Sequence, residues 1–254
     1  MTAAAAGIVR VMTWNIHGAH GRNPRFELEP VVELVRRHDP DIVALQEVDS
    51  RRARAAGVAN PFDALQEALG THGARAHAVS SADGHYGQVL IARWPLHDIE
   101  IHDLSWRTRE KRLAIAAQVE TPAGPLRVVA THLGLNIFER RSQAATLGRL
   151  IGAVDVPTLA LGDFNDWIWP GAVQRCVGAL LPGRTRLRTF PAVLPLFKLD
   201  RVFVWPRAAL VACRTDLAAR AISDHLPVIA DLRMGAHEGL SGCRAKVVGL
   251  TDAA

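Results

Sequence analysis

Residues 158–165 read Thr-Leu-Ala-Leu-Gly-Asp-Phe-Asn, an apolar run that ends on an acid and an amide. The run has the composition of a buried β-strand, so Asp163 and Asn165 are expected where that strand ends. Residues i and i+2 of an extended backbone point to the same side, so these two side chains could address one ligand. Gly-Asp-x-Asn is also good turn chemistry, and that alternative stays open.

Three more short polar segments stand beside apolar runs in the same way. They are Trp14-Asn15, Gln46-Glu47 and Ser223-Asp224-His225. Strand ends are where α/β proteins build their binding sites, so the four segments are expected to meet at one edge. Carboxylates, amides and an imidazole brought together in this way indicate a metal-dependent phosphoryl-transfer centre.

Apolar periodicity divides the rest of the chain into strands and a few helices. Helices are predicted over 27–38, 61–69 and 138–154. Strands are predicted over 8–13, 42–45, 74–79, 88–92, 98–104, 113–119, 126–130, 158–161, 199–204, 210–214 and 226–232. Some strands alternate with helices and others form hairpins, so we expect two mixed sheets that face each other with helices outside.

Length and composition favour one large domain. The 254 residues are 49% hydrophobic and contain no recognisable linker, which indicates a single core over 1–233 followed by an aperiodic tail over 234–254. The formal net charge is +5, and nearly all the basic residues are arginines, which suit bidentate contact with phosphate. The base composition of the genome explains this enrichment equally well.

The sequence predicts a soluble, cytoplasmic protein. Cys176, Cys213 and Cys243 stand in no CxxC pattern, which fits a reduced compartment. The N-terminus lacks the features of a signal peptide, and no apolar stretch has the length of a membrane span, although peripheral membrane contact stays open. Oligomeric state is not predicted.

The residue types assign provisional roles. Glu47 and Asn15 supply the oxygen ligands that Mg²⁺ prefers, whereas the plain alternative for Glu47 is a solvated loop acid. Asp163 could orient or deprotonate a water molecule while Asn165 donates to the developing oxyanion. His225 is an acid–base candidate with Asp200 as its orienting partner, against the alternative of a capped surface histidine.

His132 ends its own strand and is a second candidate phosphate donor. Its alternative is a hydrogen bond within the core.

Taken in order, five motifs resemble those of the endonuclease/exonuclease/phosphatase superfamily, which includes deoxyribonuclease I, abasic-site endonucleases, neutral sphingomyelinases and inositol polyphosphate 5-phosphatases. They are Trp14-Asn15-Ile16, Leu45-Gln46-Glu47, Gly162-Asp163-Phe164-Asn165, Leu199-Asp200-Arg201 and Ser223-Asp224-His225. The resemblance spans about residues 8 to 233, and the motifs are specific as a set.

The resemblance implies a four-layer α/β sandwich with two mixed, mainly antiparallel β-sheets flanked by helices. It implies that Glu47 and Asn15 hold Mg²⁺, for which Mn²⁺ can substitute, with Asp224 supporting the metal site. It further implies that Asp163 aligns the attacking water, that Asn165 holds a phosphate oxygen and that Asp200 pairs with His225. His132 and Arg112 would bind or orient the scissile phosphate.

Two further segments resemble the family less closely. Gly87, Arg93 and Pro95 fit a family stretch, but Gln88 and Ala92 replace an asparagine and a serine that are common there. Arg140 and Gln143 also fit the general pattern, and a solvated helical face is the competing explanation for both.

The resemblance implies a Mg²⁺-dependent phosphodiesterase or endonuclease-type hydrolase, with nucleic acid or a phospholipid-like diester as substrate. The alternatives are a phosphomonoesterase for a small phosphorylated molecule or inositol phosphate, and a non-catalytic phosphate-binding module. No long insertion could wedge into a duplex. Five aromatic residues are expected to line the entrance: Trp167, Trp169, Phe190, Phe197 and Trp205. For the stretch 167–170, a place in the pocket wall or the core is favoured over contact with a membrane.

Overall fold

The computed structural model describes residues 7–19, 27–55, 57, 60–167 and 171–235. The strands are β1 (Ile8–Asn15), β2 (Ile42–Asp49), β3 (His72–Ser81), β4 (Gly84–Ala92), β5 (Leu96–Asp103), β6 (Leu113–Thr121), β7 (Gly124–His132), β8 (Thr158–Asp163), β9 (Gly183–Arg184), β10 (Asp200–Trp205), β11 (Leu210–Arg214) and β12 (Val228–Arg233). The helices are α1 (Glu29–His38), α2 (Ser50–Ala55), α3 (Pro61–Leu69), α4 (Ile137–Ile151) and α5 (Ala172–Cys176).

The strands form two six-stranded sheets, with the orders β11-β12-β1-β2-β4-β3 and β5-β6-β7-β8-β10-β9. Each sheet contains one parallel pair, β1 with β2 and β7 with β8, and all its other neighbours are antiparallel. The predicted mixture of strand directions is confirmed. Because the parallel pairs are central, their carboxyl ends meet at one edge of the sandwich.

Helices cover the outer face of both sheets. One core fills the space between the sheets with residues such as Val11 and Leu161. A second joins α1 and α3 to the first sheet, and a third joins α4 and α5 to the other. The four-layer α/β sandwich is therefore confirmed, and its apolar strands are buried on both faces.

Period-two alternation explains how β1 contributes to two cores at once. Val9 and Val11 enter the core between the sheets, whereas Met12 and Trp14 enter the core beneath the helices. The predicted stop of α1 is confirmed at Asp39, whose left-handed backbone (φ 46°) caps the helix before Pro40.

The predicted elements are present, and most of their ends differ by a few residues from the predicted bounds. Helix α1 begins at Glu29 rather than 27, and α4 ends at Ile151 rather than 154. Neither α2 nor α5 was predicted, since each is at most six residues long and α2 lacks an apolar period.

The proposed domain over 1–233 and tail over 234–254 stay predictions, because residues 1–6 and 236–254 lie outside the described part. Met234 is buried, and its backbone N–H donates to the carbonyl of Gly7. Cys243 also falls outside the described residues. Where the chain is described, no helix is long and apolar enough to cross a bilayer.

Candidate active site

The ends of the parallel strand pairs form one wall of an open cavity of about 510 Å³. Asn15 and Asp163 end β1 and β8, His132 ends β7, and Glu47 lies near the end of β2. Eight of the nine residues that the sequence assigned to the site line this cavity: Asn15, Glu47, Arg112, His132, Asp163, Asn165, Asp224 and His225. The ninth, Asp200, contacts His225.

The backbone is strained at three positions around the cavity. Glu47, Asn165 and His17 have φ angles of 61°, 50° and 48°, values that residues other than glycine rarely adopt. At Glu47 the pairing of β2 with β4 shifts register, which marks a β-bulge. Bulges redirect side chains, and strained backbone of this kind persists where the surrounding structure enforces it, often at functional sites.

Asp163 is fully buried and has partners on both oxygens. Its Oδ1 accepts the backbone N–H of Asn165 at 2.9 Å, and its Oδ2 accepts from Nδ2 of Asn15 at 3.1 Å. The Nε2 atoms of His132 and His225 lie 3.6 and 3.8 Å from that same Oδ2. Oδ2 is therefore the atom around which the polar groups converge.

Asp163 and Asn165 share the cavity, but the geometric reason given from sequence was wrong. Asn165 is not extended: with φ at 50° it follows a turn that the carboxylate of Asp163 closes through the backbone. The turn alternative was correct for the backbone. Nδ2 of Asn165 is bound to the carbonyl of Leu133 at 2.9 Å, which fixes the amide at the cavity wall.

His225 and Asp200 form a buried ion pair. Nδ1 of His225 donates to Oδ2 of Asp200 at 2.8 Å, so the contact predicted between them is present. Burial disfavours the charged imidazole, but the charges of Asp200 and Asp163 outweigh it and raise the pKa of His225 to about 10. The alternative of a capped surface histidine is wrong, because His225 is buried.

His132 has the opposite electrostatic environment. Burial, together with the charges of Arg112 and His225, lowers its pKa well below the ordinary histidine value. The site thus holds one cationic and one neutral imidazole near neutral pH. Arg112 is itself nearly buried, and its Nη1 pairs with Glu110 at 2.6 Å.

A pair of cavity-facing carboxylates fits a hard divalent cation. Oε2 of Glu47 and Oδ1 of Asp224 lie 3.7 and 3.5 Å from the same Nδ1 of His17. Among the described residues, no lysine or arginine forms a salt bridge with either carboxylate. Carboxylate oxygens that open onto solvent are ligands that Mg²⁺ and Mn²⁺ select.

Asn15 binds its neighbours in a way that limits its part in such a site. Its Nδ2 donates to Oε1 of Glu47 at 2.8 Å, and its Oδ1 accepts the backbone N–H of His17 at 3.0 Å. Only the second lone pair of Oδ1 remains for a metal ion. In this arrangement Asn15 orients Glu47 and Asp163 relative to each other.

Asp163, Asp200 and His225 also place three potential ligand atoms within 4.8 Å of one another. This cluster suits a cation poorly. All three residues are buried, and the charged imidazole of His225 already binds Asp200 directly, so that a cation would have to displace it. The carboxylates of Glu47 and Asp224, which open onto the cavity, fit a cation better than this cluster does.

Arg140 and Gln143 do not lie on a solvated helical face, so that alternative is wrong. Both are buried at the start of α4. Oε1 of Gln143 accepts the N–H of Gly134 at 2.8 Å, and Arg140 donates to the carbonyls of Gly134 and Leu135. They fix the loop after β7, which in turn holds Asn165.

The family-like segment 87–95 contributes little to the cavity. Arg93 pairs with Asp39 at 2.5 Å and Asp41 at 3.2 Å, away from the predicted site residues. Gln88 is buried and donates to the carbonyl of Leu113 at 2.8 Å, joining β4 to β6. A side chain at Gly87 would overlap the carbonyl of Ala76.

The aromatic entrance is present in part. Trp167, Phe190 and Phe197 line the cavity. Trp205 does not, because it ends β10 while Asp200 begins it, and a six-residue strand carries them to opposite edges of the sheet. Trp169 lies outside the described residues.

Sequence reasoning missed His17 as a site residue. Its side chain lines the cavity between Glu47 and Asp224. An imidazole two residues after Asn15 was the available signal, but the loop in which it lies gave no strand end to place it.

Comparisons with known proteins identify related sequences. The sequence profile of the Endonuclease/Exonuclease/phosphatase family matches residues 12–225. The uncharacterized protein YbhP of Escherichia coli K12 is 31% identical over 244 residues, which cover 89% of this chain and 96% of that protein. A 5'-tyrosyl-DNA phosphodiesterase of Caenorhabditis elegans is 28% identical over 142 residues, covering 55% of this chain but 36% of that protein.

Solved structures show the same fold. An endonuclease/exonuclease/phosphatase from Beutenbergia cavernae superposes with a TM-score of 0.71 at 23% identity, covering 90% of this chain and 72% of that one. A humanized D. rerio TDP2 gives 0.64 at 18% identity, covering 89% of this chain and 99% of the other.

Proposed function

The chain belongs to the endonuclease/exonuclease/phosphatase family, and we propose that it hydrolyses phosphodiesters by attack of a water molecule in the cavity between the two sheets. One observation carries the proposal. Two carboxylates that form no salt bridge with a lysine or arginine among the described residues, a buried acid and an imidazolium–carboxylate pair meet around one open cavity. A module that only bound phosphate would have no need of this combination.

Asp163 has the properties of the group that orients and deprotonates the water. Burial and the nearby charge of Asp200 raise the pKa of Asp163, which makes its carboxylate a better base. Asn15 supports its Oδ2 from one side, so the water would approach the same oxygen from the cavity. The water oxygen bonds to phosphorus as the ester P–O bond breaks, giving a phosphomonoester and an alcohol.

The phosphoryl group would be held by hydrogen-bond donors close to Asp163. The cationic imidazole of His225, the neutral imidazole of His132, Arg112 and the amide of Asn165 all face the cavity. Donors of this kind stabilise the charge that develops on the non-bridging oxygens. Glu47 and Asp224, with Asn15 orienting Glu47, would hold Mg²⁺ or Mn²⁺, which neutralises charge on the phosphate and the leaving oxygen.

The test uses the purified full chain with bis-p-nitrophenyl phosphate in the presence of Mg²⁺ or Mn²⁺. We expect turnover that stops with EDTA and returns when metal is added in excess. Faster hydrolysis of p-nitrophenyl phosphate would instead favour a phosphomonoesterase. The absence of metal-dependent turnover with both compounds would leave only a phosphate-binding module.

A further inference from the structure

The mouth of the cavity carries a concentrated apolar surface. Among the described residues, twelve large hydrophobic side chains are exposed, and eight of them lie in three short segments, each of which contributes one residue to the lining of the cavity. We call these eight the apolar rim: Leu135, Ile137, Phe138, Trp167, Val193, Leu194, Leu196 and Phe197. Soluble proteins normally scatter such residues singly, so their concentration here marks a docking surface.

Hydrogen bonds hold the three segments of the apolar rim together. Nδ2 of Asn165 binds the carbonyl of Leu133, and the backbone N–H of Phe164 donates to Leu199 at 3.0 Å. The loop from Phe190 to Phe197 folds back on itself through backbone bonds between those two residues. The apolar rim is therefore held in place around the cavity, and its exposure is a property of the fold.

Positive charge borders the apolar rim. Lys198 follows directly after it, and Arg186 and Arg188 are exposed on the segment that leads into the same loop. Arg186 and Lys198, with Arg184 and Arg201, also line a separate cavity of about 300 Å³. An apolar face bordered by exposed cations is the combination that binds anionic lipid surfaces.

We propose that the apolar rim docks on a bilayer that carries anionic phospholipids, so that the catalytic cavity opens at the depth of the headgroups. This inference rests on the proposed phosphodiesterase activity and narrows its substrate to a phospholipid diester. Water alone completes the reaction, because cleavage of one P–O bond of the diester yields a phosphomonoester and an alcohol.

The composition of the apolar rim favours lipid over single-stranded nucleic acid. Five of its eight residues are the aliphatic side chains of leucine, isoleucine and valine, which offer no face for base stacking. The most exposed of them, Leu135 and Leu194, belong to different segments of the apolar rim, one after β7 and the other between Phe190 and Phe197. Aliphatic side chains in both segments suit insertion among acyl chains.

The experiment measures co-sedimentation of the full chain with phosphatidylcholine vesicles, with and without phosphatidylglycerol. Wild-type protein is expected to bind the mixed vesicles. Leu194→Asp and Phe138→Asp should each lower the partition coefficient about tenfold, because they place charge in the apolar layer. Neither residue lines the cavity. Ile99→Asp is the matched control, since Ile99 is similarly exposed on β5, and it should bind as wild type does.

A charge variant separates the electrostatic contribution to vesicle binding from the apolar one. Arg186→Gln combined with Arg188→Gln should reduce binding to phosphatidylglycerol vesicles and leave the binding to pure phosphatidylcholine unchanged. Release of phosphate products from the mixed vesicles should fall in Leu194→Asp, while hydrolysis of soluble bis-p-nitrophenyl phosphate stays at the wild-type rate.

These readouts distinguish the failure of the docking proposal from that of the proposed function. Vesicle binding without any diester hydrolysis would support the docking surface and overturn the activity. Hydrolysis of the soluble diester without vesicle binding would overturn the docking proposal. It would also be overturned if sedimentation velocity showed a wild-type dimer that Leu194→Asp dissociates into monomers. Binding of single-stranded DNA, in place of vesicles, through the apolar rim would overturn it as well.

Discussion

Asp163 and Asp200 are directly opposed Cα partners across β8 and β10, and His225 lies against both carboxylates. Burial is the main cause of the raised pKa of Asp163. Repulsion between the two buried acids in neighbouring strands is the second cause. The imidazolium of His225 compensates for this by pairing with Asp200. The antiparallel register of β8 and β10 thus places the two acids side by side, and the segment before β12 of the other sheet brings His225 against them.

Asp200→Asn is expected to lower turnover of bis-p-nitrophenyl phosphate by about 10²–10⁴-fold, because the imidazole loses the charge that keeps it protonated and oriented. The matched control is Asp216→Asn, since Asp216 binds Nε2 of His38 at 2.9 Å in a similar Asp–His pair that does not line the cavity. Circular dichroism should show both variants folded. Equal losses of activity in the two would contradict the assignment.

Glu47→Gln is expected to weaken metal binding, which can be measured without substrate. The thermal midpoint of the wild-type protein should rise as Mg²⁺ or Mn²⁺ is added, since a ligand that binds only the folded state stabilises it. Glu47→Gln should show most of that rise removed. Glu100→Gln changes a carboxylate on β5 that pairs with His102 and serves as the control. An unchanged metal response in Glu47→Gln would place the cation elsewhere.

Gly162→Ala is expected to destabilise the fold by about 3 kcal/mol or more, since two costs act together. The backbone there has a φ of 150°, and a Cβ would overlap the carbonyl of Thr131 on the neighbouring strand. At Gly152 the backbone is also left-handed (φ 60°), but no atom lies closer than 3.5 Å to an added Cβ. With ψ at −149°, Gly152 lies in a region that few residues other than glycine adopt, so Gly152→Ala should cost about 1–3 kcal/mol in urea denaturation, from backbone strain alone.

The sequence was informative where one periodicity dominated. The apolar run of β1 and the helical spacing of α1 predicted those two elements, and the resemblance to the family, with the strand ends, predicted eight lining residues of one cavity. The local backbone was harder, because the bulge at Glu47 and the turn at Asn165 depend on contacts with distant strands. Burial of Arg140 could not be predicted either, since its partners are backbone carbonyls of a loop.

Asp231→Asn is expected to destabilise the protein by about 1 kcal/mol at pH 7, because Asp231 binds Arg10 at 2.7 Å and Arg214 at 3.1 Å. Despite partial burial, these guanidinium groups lower the pKa of Asp231. A lowered folded-state pKa gives stability that is present above the unfolded value and is lost as the pH falls through the folded one. The difference between variant and wild type should therefore shrink below about pH 4. A difference that stayed constant in acid would contradict this account.

Gln143→Leu tests whether α4 positions the loop after β7, which contains Leu133 and Gly134. The substitution removes the acceptor of the Gly134 N–H and the donor to Glu139, while a side chain of similar volume keeps the helix packed. Leu133 adjoins Gly134 in this loop, and its carbonyl binds the amide of Asn165. Because movement of the loop would displace that amide, we expect kcat to fall at least tenfold with a smaller change in KM. If Gln143→Leu lowered the thermal midpoint but left kcat unchanged, the loop would be a structural element without a role in positioning Asn165.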